Sequence, residues 1–202
     1  MEDSFKTIEK PCEGYFKDKG SKFIAYAYPV KNEEEIKDLL ARIKKEHHSA
    51  RHHCYAWRLG EEDPQSRAND DGEPSLTAGK PILGQLQSYG VTNILLIVVR
   101  YFGGILLGTS GLINAYRTAA GDALNNATIR TGWIERFFEL HFTYEKMNEV
   151  MLIVKQENLN VVKTRFEESC QLVFSVKKSE AQRVETIFQN IYGIDIKKAE
   201  TC

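Results

Sequence analysis

The stretch Ile94 to Val99 is apolar at every position and rich in β-branched residues, so neither side of an extended strand built from it can face water. A layer must cover each face. The run is far shorter than the roughly 20 apolar residues that a membrane helix needs, which leaves a central sheet strand as its reading. Three segments have the helical spacing to supply the layers. Asn32 followed by Glu33, Glu34 and Glu35 makes an N-cap with acids in the first turn, Ile36, Leu39, Leu40 and Ile43 repeat at helical spacing, and Lys44 and Lys45 close a helix of about 33–46. Ile82, Leu83, Leu86 and Tyr89 predict a short helix from Gly79 that Gly90 terminates. Leu112, Ile113, Tyr116, Ala119, Ala120, Ala123 and Leu124 predict a longer one, with Thr109 or Ser110 as its cap.

Residues 4–30 alternate weakly between turns marked by Gly14, Asp18 and Gly20, as a pair of antiparallel strands does. His53, Tyr55 and Trp57 alternate with Cys54, Ala56 and Arg58 in another strand. From 60 to 75 periodicity is lost and a long loop is expected. The polar stretch 125–132 then separates two grammars, and we expect one domain over 1–130 and a second over 135–202. Downstream the order is strand, helix, strand, strand, helix, strand, which suits a ferredoxin-like βαββαβ sandwich. The fold class is therefore α+β in two domains.

Charge narrows the function. Lys and Arg number 27 against 28 Asp and Glu, a net of −1, so bulk attraction to a nucleic acid is absent and any polyanion site must be local. With no apolar signal core in MEDSFKTIEK and no membrane-length run, a cytoplasmic location and no membrane partner are expected. Cys12, Cys54, Cys170 and Cys202 have no paired spacing and read as reduced thiols.

Three segments have residues that could carry chemistry. His47, His48, His52 and His53 fall within seven residues beside Arg51. Shared metal ligation is one reading, but the helix pattern ends by Lys45 and the strand starts by His53, so a packed or anion-binding cluster is favoured. The acidic stretch EEDPQSRANDDGEP holds Asp70, Asp71 and Glu73, which could grip magnesium; Pro64, Gly72 and Pro74 favour a solvated loop. The third is the turn between the buried strand and the long helix, with Gly103, Gly104, Gly108 and Gly111. Its backbone amides and the following helix N-terminus can cradle an anion, or the glycines only permit a tight turn. It is neither a Walker A loop nor a dinucleotide fingerprint. No nucleophile, base and orienter declare themselves, so no catalytic residue, metal ligand or cofactor is assigned.

Three blocks, ARHHCYAWR (50–58), DDGEPSLTAGKPIL (70–83) and VVRYFGGILLGTSGLINAY (98–116), together resemble the IMPACT/YigZ family. The resemblance implies a first domain similar in fold to the second domain of a small-subunit ribosomal protein, also found in elongation factor G and in small-molecule kinases. The downstream segment is similar to the ferredoxin-like C-terminal module of the bacterial members. The family pattern carries onto His53, Asp70, Asp71, Gly72, Glu73, Pro74, Thr77, Ala78, Gly79, Arg100, Tyr101, Gly103, Gly104 and Gly108. This chain departs from it at Leu76, where Gly is usual, and at Leu106, where Lys is usual.

The resemblance implies a role in translation, since eukaryotic members are translation regulators and bacterial members are thought to bind nucleic acid or the translation machinery. The leading expectation is thus a non-catalytic binding protein whose partner is a translation-machinery protein or RNA. Its binding residues would be His53, Asp70, Asp71, Glu73, Thr77, Gly79, Arg100, Gly103, Gly104, Gly108, Thr109 and Ser110, with phosphate or another anion as a ligand of the turn. The alternative is an enzyme acting on a phosphorylated small molecule or nucleic acid through the Gly-rich turn and the acidic loop. Fold likeness alone is a weak warrant for it.

Overall fold

The computed structural model describes residues 3–167 and 169–199. Cys202 lies outside them, and the other three cysteines are free. The chain divides into two compact units, one of Phe5–Gly132 and one in which Trp133 and the residues after it join residues 3 and 4.

In the first unit, five strands form one sheet in the order β2 (Cys12–Asp18), β3 (Ser21–Pro29), β6 (Ile94–Tyr101), β4 (His52–Leu59) and β5 (Gln65–Asn69), every neighbour antiparallel. The all-apolar strand β6 is central, as its composition requires. On one face Leu96 and Val98 pack with Phe23, Ala25 and Ala56 against two helices, α2 (Gly79–Ser88) and α3 (Gly108–Asn125). On the other, Leu95, Ile97 and Val99 pack with Tyr26 and Trp57 against α1 (Glu33–Glu46). Burying each such aliphatic side chain contributes about 1.5–3 kcal/mol, so two-sided burial outweighs any local preference in this strand. The α1 cap is also as expected: Asn32 Oδ1 accepts the Glu35 amide at 2.9 Å.

Three expectations are corrected. The polar run 65–69 is not loop but the edge strand β5, registered against β4 from Tyr55↔Asn69 to Leu59↔Gln65. Strand β1 (Ser4–Ile8) does not join the 4–30 hairpin; it pairs instead with β7 (Ile129–Trp133) in a separate two-stranded sheet, leaving β2 and β3 as the hairpin. Helix α3 begins at Gly108, ahead of Thr109 and Ser110, its cap position is Leu107, and no side chain caps it.

The second unit carries β8 (Glu135–Phe142), a 3-10 turn (Tyr144–Lys146), α4 (Met147–Gln156), β9 (Asn160–Phe166), β10 (Cys170–Lys177), α5 (Lys178–Gln189) and β11 (Ile194–Ala199). Its sheet runs β11-β8-β10-β9, all antiparallel, which is the ferredoxin-like order. Phe138, Leu140, Leu172 and Phe174 face Val150, Val184 and Phe188 of the two helices.

Candidate functional site

The residues singled out in the sequence converge at one end of the five-stranded sheet, where the acidic loop 70–78 meets the end of β6. Each carboxylate there has an assigned internal task. Asp70 Oδ1 accepts the amides of Ala78 and Gly79 at 3.0 and 2.8 Å, and its Oδ2 accepts the Leu76 amide at 2.8 Å. Since Ala78, the cap position of α2, has no polar side chain, Asp70 caps that helix from eight residues upstream and sets a negative charge at its positive end.

Asp71 ties the loop to β4 and α1. Its Oδ2 accepts the His53 backbone amide at 2.8 Å, and its Oδ1 accepts from Lys44 Nζ at 3.1 Å. Burial pushes this carboxyl up, but the His53 amide and the Lys44 ammonium outweigh burial and hold it below the usual carboxylate value. Asp71 itself sits at φ 40°, a left-handed conformation that Asp tolerates.

Glu73 turns inward. Its Oε1 accepts from Arg100 Nη1 at 2.6 Å and from the Tyr116 hydroxyl at 2.8 Å, with side chains only 3% and 7% exposed for Glu73 and Arg100. The Cys54 thiol donates to the Tyr116 oxygen at 3.3 Å, and burial pushes both that thiol and the Tyr116 phenol well up. The guanidinium lies 5.6 Å from the ring centres of both Phe23 and Phe102, while its Nε is buried without a hydrogen-bond partner among the described residues. Sequence reasoning named Glu73 and Arg100 but missed Tyr116 as their partner. The available signal was a phenol on the apolar face of α3, because a buried Tyr hydroxyl needs a partner.

His47, His52 and His53 each have partners within the chain. His47 is held between two phenols, its Nε2 2.8 Å from the Tyr26 hydroxyl and its Nδ1 2.8 Å from the Tyr101 hydroxyl. Burial pushes the Tyr26 phenol up to about 12. His52 Nδ1 lies 2.9 Å from the Asp71 carbonyl, and His53 Nε2 lies 3.2 Å from the His47 carbonyl. Burial also pushes the His53 imidazole below its ordinary value. Among the described residues, no group of three His, Cys, Asp or Glu side chains is disposed to hold a metal ion.

Thr77 closes the loop through Oγ1, which donates to the Pro74 carbonyl at 2.6 Å. Gly79 is required by packing, since a Cβ there would stand 2.6 Å from the Asn69 amide nitrogen. Gly103 crosses the β2–β3 turn so closely that a Cβ would lie 1.9 Å from the Gly20 carbonyl carbon, and its amide donates to Ser21 Oγ at 3.1 Å. Gly104 and Gly108 differ from these. They adopt φ of +89° and +70°, which favours glycine, and open space lies where a Cβ would point. Thr109 and Ser110 are exposed at the start of α3.

A family model for the Impact N-terminal domain matches residues 19–124. The chain belongs to the IMPACT family. It is 31% identical over 180 residues to the IMPACT family member YvyE of Bacillus subtilis, covering 89% of this chain and 83% of the relative. It is 36% identical over 151 residues to the IMPACT family member YigZ of Escherichia coli, covering 74% of each. A crystal structure of a hypothetical protein matches at a TM-score of 0.74 and 28% identity over 99% of both chains. Within this family fold, the two departures noted in the sequence are both exposed leucines: Leu76, 58% exposed at φ 65°, and Leu106, 81% exposed. Phe102 and Ile105 are exposed in the same turn as Leu106.

Proposed function

We propose that this IMPACT-family chain is a non-catalytic binding protein associated with translation, and that its partner is a component of the translation machinery. One observation carries the binding reading: both oxygens of Asp70 and of Asp71, and Oε1 of Glu73, are engaged by donors of the chain itself. Ligating an ion would require breaking those bonds, which disfavours a metal-dependent phosphoryl-transfer site. The acidic loop, His53, Arg100, Thr77 and Gly79 then serve to hold the rim in shape. At this end of the sheet, the surface left for a partner is the Gly-rich turn, where Phe102, Ile105, Leu106, Gly104, Gly108, Thr109 and Ser110 are exposed. Phosphate or another anion is a lesser ligand of that turn, favoured by the uncapped amides that open α3 and opposed by a leucine at 106.

The apolar character of the turn and the net charge of −1 favour a protein partner over RNA. Co-sedimentation with ribosomal subunits over a salt series tests the proposal. The expected result is binding with a shallow salt dependence that Leu106→Asp weakens while the fold is retained. No co-sedimentation at any salt, or magnesium-dependent turnover of a phosphorylated substrate that Asp71→Asn abolishes, would overturn it.

A further inference from the structure

A groove of about 520 Å³ runs between α2 and α3 on the first unit, and neither Glu73 nor Arg100 lines it. Leu76, Pro81 and Ile113 supply its apolar lining. Gly84 leaves it open on the α2 side, because nothing lies within 4 Å of the position a Cβ would take. Among the described residues its only charged lining is Lys80 on α2 and Arg117 on α3, both exposed, and no acidic side chain lines it. Lys80 and Gly84 stand four apart on one helix, and Ile113 and Arg117 four apart on the other, so each helix offers one cation beside an apolar or open position on the same face. Among the described residues neither cation has an ion-pair partner.

Leu76 stands at the lip. Asp70 Oδ2 accepts its amide and holds the loop where this leucine takes a left-handed backbone, which L side chains resist, and its side chain stays more than half in water. Both features lower stability in the isolated chain. A partner that covers Leu76 removes the exposure.

We propose that the α2–α3 groove docks an acidic amphipathic segment of another protein, with an apolar side chain seated against Leu76, Pro81 and Ile113 and carboxylates meeting Lys80 and Arg117. This is helix-in-groove recognition with the charge sign fixed by the host. It goes beyond the Gly-rich turn to a second surface and rests on the binding-protein reading for its biological setting, while the groove chemistry stands by itself.

The test is selection of random dodecapeptides displayed against the full chain. The expected winners pair Leu, Ile or Phe with two or more Asp or Glu. Lys80→Glu with Arg117→Glu should weaken the best winner by at least about tenfold and turn the selection toward basic peptides. Leu76→Gly, which suits the left-handed backbone and keeps the fold, should weaken it as well. Enrichment of basic or uncharged peptides, no enrichment, or winners indifferent to all three substitutions would each overturn the proposal. So would a dimer of the chain that the double variant disrupts, which assigns the groove to a second copy, or displacement of the winners by poly-uridylate, which assigns it to RNA. The two readings fail separately. Ribosomal co-sedimentation that persists in the Lys80→Glu/Arg117→Glu variant with no acidic winners sinks the groove alone; acidic winners without co-sedimentation sink the translation role alone.

Discussion

The acidic loop and the Gly-rich turn lie at the same end of the sheet and are equally conspicuous in the sequence, yet they are built in opposite senses. In the loop, charged side chains point into the protein: Asp70 caps α2, Asp71 bridges β4 and α1, and Glu73 is nearly sealed against Arg100 and Tyr116. In the turn, Phe102, Ile105 and Leu106 point out and are exposed, while Leu107 turns into the core. A run of carboxylates suggests a ligand site, and here it holds the loop in shape; a run of apolar residues suggests core, and here only Leu107 of the four enters it. On the proposed reading, the turn is the surface at this end of the sheet that remains once the polar groups of the loop have been consumed internally.

The comparison breaks most easily at Glu73. If its carboxylate is architecture, Glu73→Ala leaves Arg100 buried without its ion-pair partner and should lower unfolding stability by about 3–5 kcal/mol, read by chemical denaturation. Pairing it with Arg100→Leu should recover part of the loss, since replacing both members of a buried ion pair by apolar groups costs less than orphaning one. A single variant as stable as the parent would mean that the pair is not holding the rim. A smaller effect of the same kind is expected at Asp70. Asp70→Ala removes the acceptor of three loop and helix amides and should cost about 2 kcal/mol, with faster hydrogen exchange at Leu76, Ala78 and Gly79. Unchanged exchange there would return Asp70 to the pool of free ligand groups.

How much of this was legible in the sequence depended on how local each cause was. Helix α1 was readable to its ends because Asn32, the three following glutamates and the closing lysines act within one or two turns. Strand β6 was readable because six apolar residues in succession admit only a covered strand. The edge strand β5 was not, because Gln65 to Asn69 have no apolar alternation and are extended by pairing with β4. The β1–β7 pairing joins segments more than a hundred residues apart and left no periodic trace. At the site, the types were visible and the partners were not: Glu73, Arg100 and Tyr116 come from a loop, a strand end and a helix, and only folding shows that one carboxylate oxygen receives both donors.

The mildest substitution examines the turn itself. Leu106 is 81% exposed, so Leu106→Lys should change stability by no more than about 0.5 kcal/mol. Its consequence lies in what the turn attracts. Gly104 and Gly108 leave open space beside the uncapped start of α3, and lysine there would add the cation that the leucine withholds. Millimolar phosphate should then slow hydrogen exchange at the amides of 104–110 more in the variant than in the parent, while co-sedimentation that depends on an apolar turn weakens and becomes salt-sensitive. The two readouts must move in opposite directions, because the same position cannot serve as apolar contact and as phosphate partner at once. If phosphate protection is equal in the two proteins and co-sedimentation is also unchanged, Leu106 contributes to neither kind of recognition, and the outward-facing turn loses its claim to be the partner surface.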